Sequence, residues 1–156
     1  MCQLIRLSEI KIVMSALPLS CSLCVPGEET VIWQDEFCRL IAVGDDSYPV
    51  FCRIVTQEHW PEFSDLSSSD RVRVMNVVYV VEKTLRTLLN PIKVNIASFG
   101  NVVPHLHWHI IPRFEGDPHY PNPIWGESAG GQPFHPEAGF WKIFSQAIKE
   151  SLDSKV

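Results

Sequence analysis

Between Ser67 and Asn90-Pro91 the apolar residues Val74, Val78, Val81, Leu85 and Leu88 recur at intervals of three and four, the spacing at which helical side chains share a face. Ser67, Ser68 or Ser69 ahead of Asp70 supplies an N-cap and Asn90-Pro91 a stop, so one long helix is expected over about Ser67 to Leu89. Val77, Val80 and Thr84 give it a second, weakly polar face, which either a subunit interface or the C-terminal segment would cover. Ahead of the helix the pattern changes to short apolar runs. Thr30 to Trp33 and Phe37 to Val43, parted by Gln34-Asp35-Glu36, read as a hairpin, and Phe51 to Thr56 as a third strand beyond the loop Gly44 to Pro49. After the helix, Ile92 to Phe99 and His105 to Pro112 read as two more strands, joined by Gly100 to Pro104. A stretch rich in Pro and Gly then runs through Gln132-Pro133, too long to be idle in a compact domain. Ala138 to Leu152, with Phe140, Trp141, Phe144 and Ile148, closes the chain as an amphipathic helix. About five strands around one long helix, without strand-helix alternation, make the class α+β.

Composition narrows the picture without changing it. The 156 residues, 46% apolar and 20% charged, suit one globular domain, placed at residues 21–156 behind an N-terminal extension over 1–20 in which Met14 could serve as an alternative start. A net charge of -5 argues against a nucleic-acid polymer as partner, and no apolar run is long enough to span a bilayer. Five cysteines without a recognisable signal peptide point to a reducing, cytoplasmic setting, and Cys38 and Cys52 read as apolar filling.

The chemistry concentrates in His105-Leu106-His107-Trp108-His109, where three of the six histidines fall within five residues. In an extended strand these three share one face, while Leu106, Trp108 and Ile110 share the other. Three buried imidazoles on one face would each need a partner, so the row reads as a site and not as core. Imidazole is largely neutral near pH 7 and needs little activation to act as a nucleophile. The same three rings could instead hold an open-shell metal. A second constellation, Cys21-Ser22-Leu23-Cys24, has the spacing for two thiolates on one tetrahedral metal, which would need two further ligands; a redox pair or two reduced thiols are the other readings.

The His-x-His-x-His run with apolar x residues, preceded by Gly100-Asn101, resembles the signature of the histidine triad (HIT) family of nucleotide hydrolases and transferases, and the likeness extends from about Cys21 to Trp125. That resemblance implies a HIT-like α+β fold and a reaction at the α-phosphate of a nucleotide derivative. The middle residue, His107, would attack and carry the nucleotide, with its Nδ1 bonded to a backbone carbonyl, while His105 and His109 flank the phosphate or fix the ring. It implies nucleotide contacts at Asp45 in the acidic loop, at Asn95, at Asn101 and at Trp125, the last resembling a tryptophan that some members send to the other subunit's site. It also implies a structural zinc held by Cys21, Cys24, His59 and His105, and a homodimer. Val102 stands where the family often has Ser or Thr, which bears on poor leaving groups. A metal-binding module and a non-catalytic nucleotide binder are the competing functions.

Overall fold

The computed structural model describes residues 21–25 and 27–153. The extension expected over 1–20, with Met14, lies outside them, as does Pro26. Strands β1 (Thr30–Gln34) and β2 (Cys38–Ala42) form the expected hairpin. Its turn is built by Asp35, whose Oδ1 accepts the amides of Phe37 at 2.9 Å and Cys38 at 2.7 Å, the local bonding that favours Asp in turns. Strand β3 (Cys52–Thr56) follows, then the long helix α1 (Ser68–Leu89), β4 (Lys93–Ala97), β5 (His107–Arg113) and α2 (Phe140–Asp153). All neighbouring strands pair antiparallel in the order β1-β2-β3-β5-β4, so the histidine strand lies inside the sheet and β4 at its edge.

The two faces of this sheet have different tasks. Ile32, Leu40, Cys52, Ile54, Trp108 and Ile110 belong to the main core with α1 and α2, the burial that drives the fold. Phe140, Phe144 and Ile148, four apart along α2, face this core. Truncating the fully buried Phe144 to Ala would cost roughly 3–5 kcal/mol. Cys38 and Cys52 are wholly buried here, and burial pushes the Cys38 thiol up to about 12, so both act as apolar filling. The opposite face carries Arg53, Val55, His107, His109, Ile111 and Arg113, the odd-numbered positions of β3 and β5.

Helix α1 begins and ends as its sequence dictates. Ser67 accepts the Asp70 amide at 3.1 Å, and Asn90 takes the left-handed conformation, φ 46°, at the C-cap. Its second apolar face is not spare. Val77, Val80 and Thr84 are buried, and both valines pack into the core that α2 completes, so of the two covers expected for this face it is the C-terminal segment, and not a subunit interface, that takes it. The apolar residues that α1 leaves exposed are Val72, Met75, Tyr79 and Leu88. Among the described residues no helix is long and apolar enough to cross a membrane.

Candidate active site and metal centre

Strand β5 starts at His107, two residues later than its sequence pattern suggests. His105 precedes it, its amide bonded to Val103 O at 2.8 Å, so the three histidines are not one uninterrupted strand row. This break gives them different surroundings. The His105 ring is wholly buried, with Nε2 donating to Thr56 O at 2.8 Å. A carbonyl can only accept, so the proton sits on Nε2 and the Nδ1 lone pair is free. That lone pair faces Cys21 Sγ at 3.5 Å and Cys24 Sγ at 3.3 Å, while His59 Nδ1 lies 3.2 Å from Cys24 Sγ. The four donor atoms all lie within 4.8 Å of one another. Zinc–sulfur and zinc–nitrogen bonds of usual length in a tetrahedron put S and N roughly 3.5 Å apart, so the donor set fits a closed structural zinc. The pair of cysteines reaches this point because the amides of Cys24 and Val25 both return to Cys21 O at 3.1 Å, a tight turn over Ile41 and Val55.

His107 is oriented by the same residue. Its Nδ1 donates to His105 O at 2.6 Å, which leaves Nε2 without a proton and directed to the open side of the strand. Burial lowers its pKa, outweighing the bond to His105, so the ring is neutral at neutral pH. Ser98 Oγ donates to His107 O at 2.8 Å and ties the strand to the loop that follows β4. His109 lies alongside, ring centroids 4.8 Å apart, with its Nδ1 buried and unpartnered. Burial first, then the charge of Arg53 and the neighbouring His107, push the His109 pKa down to about 4.

Both rings form the floor of a cleft of about 470 Å³. Asn101, Val102 and Val103 edge it, and Phe99 and Trp125 stand against His109 at 5.8 and 5.3 Å, the two aromatics meeting edge to face at 4.9 Å. Trp125 therefore meets the histidine of its own chain, where the resemblance implied the other subunit's. The reason lies in the loop after β5, which Asp117 anchors by two bonds from Arg113, and which Ile124 pins beside Tyr48, Phe51 and Ile111.

Of the residues named from sequence, His107, His109, Asn101 and Trp125 meet in the cleft, and Cys21, Cys24, His59 and His105 in the cluster beside it. Asp45 and Asn95 do not line the cleft. Asp45 Oδ1 accepts the amides of Ser47 and Tyr48, closing its own turn, and Asn95 Oδ1 accepts from Arg113 Nη1 at 2.7 Å. Sequence reasoning missed Thr56, Ser98, Arg53 and the Arg113–Asp117 pair. Arg113 stood directly after the histidine run, but its acidic partner is distinguishable from other loop carboxylates only by position in the fold.

The HIT domain model matches residues 27–116, more than half of the chain. Among solved structures, a histidine triad protein from Bradyrhizobium japonicum is 29% identical, covering 79% of this chain and 90% of its own, with a TM-score of 0.64. One from Sinorhizobium meliloti is also 29% identical, covering 79% and 89%, with a TM-score of 0.62. A Zn-bound histidine triad family protein from Mycobacterium smegmatis shares the fold at 18% identity, covering 88% and 98%, with a TM-score of 0.62. Comparison with curated protein sequences gives no significant match. With His107 and His109 on an inner antiparallel strand and His105 just ahead of it, the fold around them and the domain match in agreement, the chain belongs to the histidine triad, or HIT domain, family.

Proposed function

We propose that the protein is a nucleotidyl hydrolase or transferase that cleaves a nucleotide derivative at its α-phosphate through a covalent adduct on His107. The observation that carries this reading is the bond from His107 Nδ1 to His105 O, which presents Nε2 as an unprotonated lone pair in an open cleft. In the forward step Nε2 attacks the α-phosphorus, a P–N bond forms, and the bond from phosphorus to the leaving group breaks, its electron pair going to that group, which takes a proton from solvent. Water then attacks the phosphorus, the P–N bond breaks, and the nucleoside monophosphate departs with the imidazole restored. His109 faces the phosphate in this scheme, Asn101 donates its amide to a phosphate oxygen, and Trp125 offers a face to the base. Asp45 and Asn95, expected as nucleotide contacts, are assigned instead to holding their loop and Arg113.

Zinc, bound at Cys21, Cys24, His59 and His105, would supply folding energy and no chemistry, since four protein ligands fill its coordination. Because His105 offers its ring to that cluster and its carbonyl to His107, the cluster would position the nucleophile. We further infer a cytoplasmic homodimer, supported by a cysteine usage that fits metal ligation and apolar filling and not a disulfide framework, by the exposed apolar residues of α1, and by the open edge of β4. The reading is tested by brief incubation with radiolabelled adenosine phosphoramidate or diadenosine polyphosphate and an alkaline quench. An acid-labile label on wild type and none on His107→Ala is the expected result. Turnover by His107→Ala at the wild-type rate would overturn it in favour of a metal-binding module.

A further inference from the structure

Among the described residues are six arginines, and five of them have partners. Arg39 pairs with Glu29, Arg73 with Asp35 and Glu36, Arg86 with Glu82 and Arg113 with Asp117, while Arg71 donates to Leu66 O and Ser68 Oγ. Arg53 is the sixth. It has no hydrogen bond or ion pair among the described residues, and its Nε is buried without an acceptor. Half-burying a guanidinium without a carboxylate is costly, and it is out of pattern in a chain of net charge -5, where acidic partners outnumber bases. The cost is offset only at longer range, by the charge of Glu29, a carboxylate whose hydrogen bonds go to Arg39, and by the Phe51 ring, whose centroid lies 5.9 Å from the guanidinium carbon.

Position gives the vacancy its meaning. Arg53 stands directly opposite His109 in the β3–β5 register and on the same face of the sheet, so the two side chains are immediate neighbours. It lines the cleft together with His107 and His109. No other Lys or Arg and no Asp or Glu is among the lining residues. A phosphate that reaches His107 therefore meets one fixed positive charge and no negative one. Guanidinium is also the side chain whose fork matches two phosphate oxygens at once.

We propose that Arg53 is the anion-binding residue of the cleft, its guanidinium holding the phosphate of the nucleotide that His107 faces. The identity of the ligand rests on the nucleotide reading above; the anion site itself does not. Calorimetric titration of wild type, Arg53→Gln and Arg53→Lys with AMP, adenosine and inorganic pyrophosphate separates the two. Wild type should prefer AMP to adenosine. Arg53→Gln should weaken AMP and pyrophosphate by roughly tenfold to a hundredfold, the range for losing a hydrogen bond to a charged group, and leave adenosine unchanged. Arg53→Lys, a point charge without the fork, should fall between them and bind with a steeper dependence on salt than Gln. Wild-type affinity for AMP in Arg53→Gln would overturn the proposal. So would an equal loss of adenosine and AMP, which would assign Arg53 to the nucleoside. Should wild type bind neither, the nucleotide reading falls; pyrophosphate binding that depends on Arg53 would still support the anion site, and its absence would refute it.

Discussion

Arg113 grips Asp117 through two parallel hydrogen bonds, Nε to Oδ2 at 2.7 Å and Nη2 to Oδ1 at 2.8 Å, with both side chains only 2% exposed. Burial alone would raise the Asp117 pKa, but the Arg113 bonds and the amides of His119, Tyr120 and Phe114 outweigh it and hold the carboxyl below the usual range. The pair joins the end of the histidine strand to the loop that carries Trp125. Asp117→Asn leaves the guanidinium buried against a neutral amide, so denaturant unfolding should report a loss of roughly 3–5 kcal/mol. Trp125 fluorescence should become more solvent-exposed in the same variant, since its loop loses its anchor.

The loop has a second point of failure. At Gly131 a Cβ would collide with the backbone of Gly116 and Asp117, where Gln132 N–H bonds to Gly116 O at 2.8 Å. Gly131→Ala should therefore separate the two ends of the loop. Substrate affinity should fall more than melting temperature if Trp125 is a nucleotide contact; a fall in melting temperature with unchanged affinity would remove Trp125 from that role.

For zinc the expected outcome is one equivalent per chain in protein purified without chelator. Cys21→Ser with Cys24→Ser should abolish it and lower the melting temperature, because structural metal contributes directly to folding. Native protein of unchanged stability after metal removal would end the assignment.

The three histidines should separate by phenotype. His107→Ala should keep binding and lose turnover by several orders of magnitude, the pattern for a group that acts in the transition state. His109→Ala should cost less, and His105→Ala should act mainly on stability, since its ring is wholly buried against Thr56 and the cysteines.

His109 also sets an acid limit. It is faced by Arg53 from β3, by its strand neighbour His107 and otherwise by the rings of Phe51, Phe99 and Trp125. With a folded pKa of about 4 against 6.5 for the free side chain, the unfolded chain binds the extra proton first as pH falls. The stability from keeping the ring neutral is complete above about 6.5. It is lost at up to about 1.4 kcal/mol per pH unit on the way down to 4. Thermal unfolding should show a shallower acid slope in His109→Gln than in wild type, the remainder coming from the buried rings of His105 and His107, whose pKa values burial also lowers.

Pairing through α1 predicts that Val72→Glu with Tyr79→Glu gives a monomer by light scattering, with the fold retained because both positions are exposed. Val77→Glu and Val80→Glu should instead unfold the chain by burying an unpaired charge. A wild type that is monomeric at micromolar concentration would refute the dimer.

Periodicity carried the fold: the helix ends at Ser67 and Asn90 and the strands fell within two residues of their patterns, because those boundaries are set by local capping and turn bonding. The fate of Val77 and Val80 was not legible, since a helix pattern shows that a face is apolar but not which distant segment covers it. The site divides in the same way. His107 and His109 were readable from strand alternation, whereas Arg53 enters the cleft only through a strand register set by pairing between residues more than fifty apart.

His105 takes part in two places through two chemically separate groups, an imidazole shared with the thiols and a peptide oxygen that every amino acid possesses. Side-chain replacement there erases the first and leaves the second in its covalent place. An alanine scan would thus record His105 as a stability residue and overlook its part in fixing the nucleophile's tautomer. Backbone chemistry, such as an ester or thioamide installed at the 105–106 linkage, would be the way to hear that second voice separately.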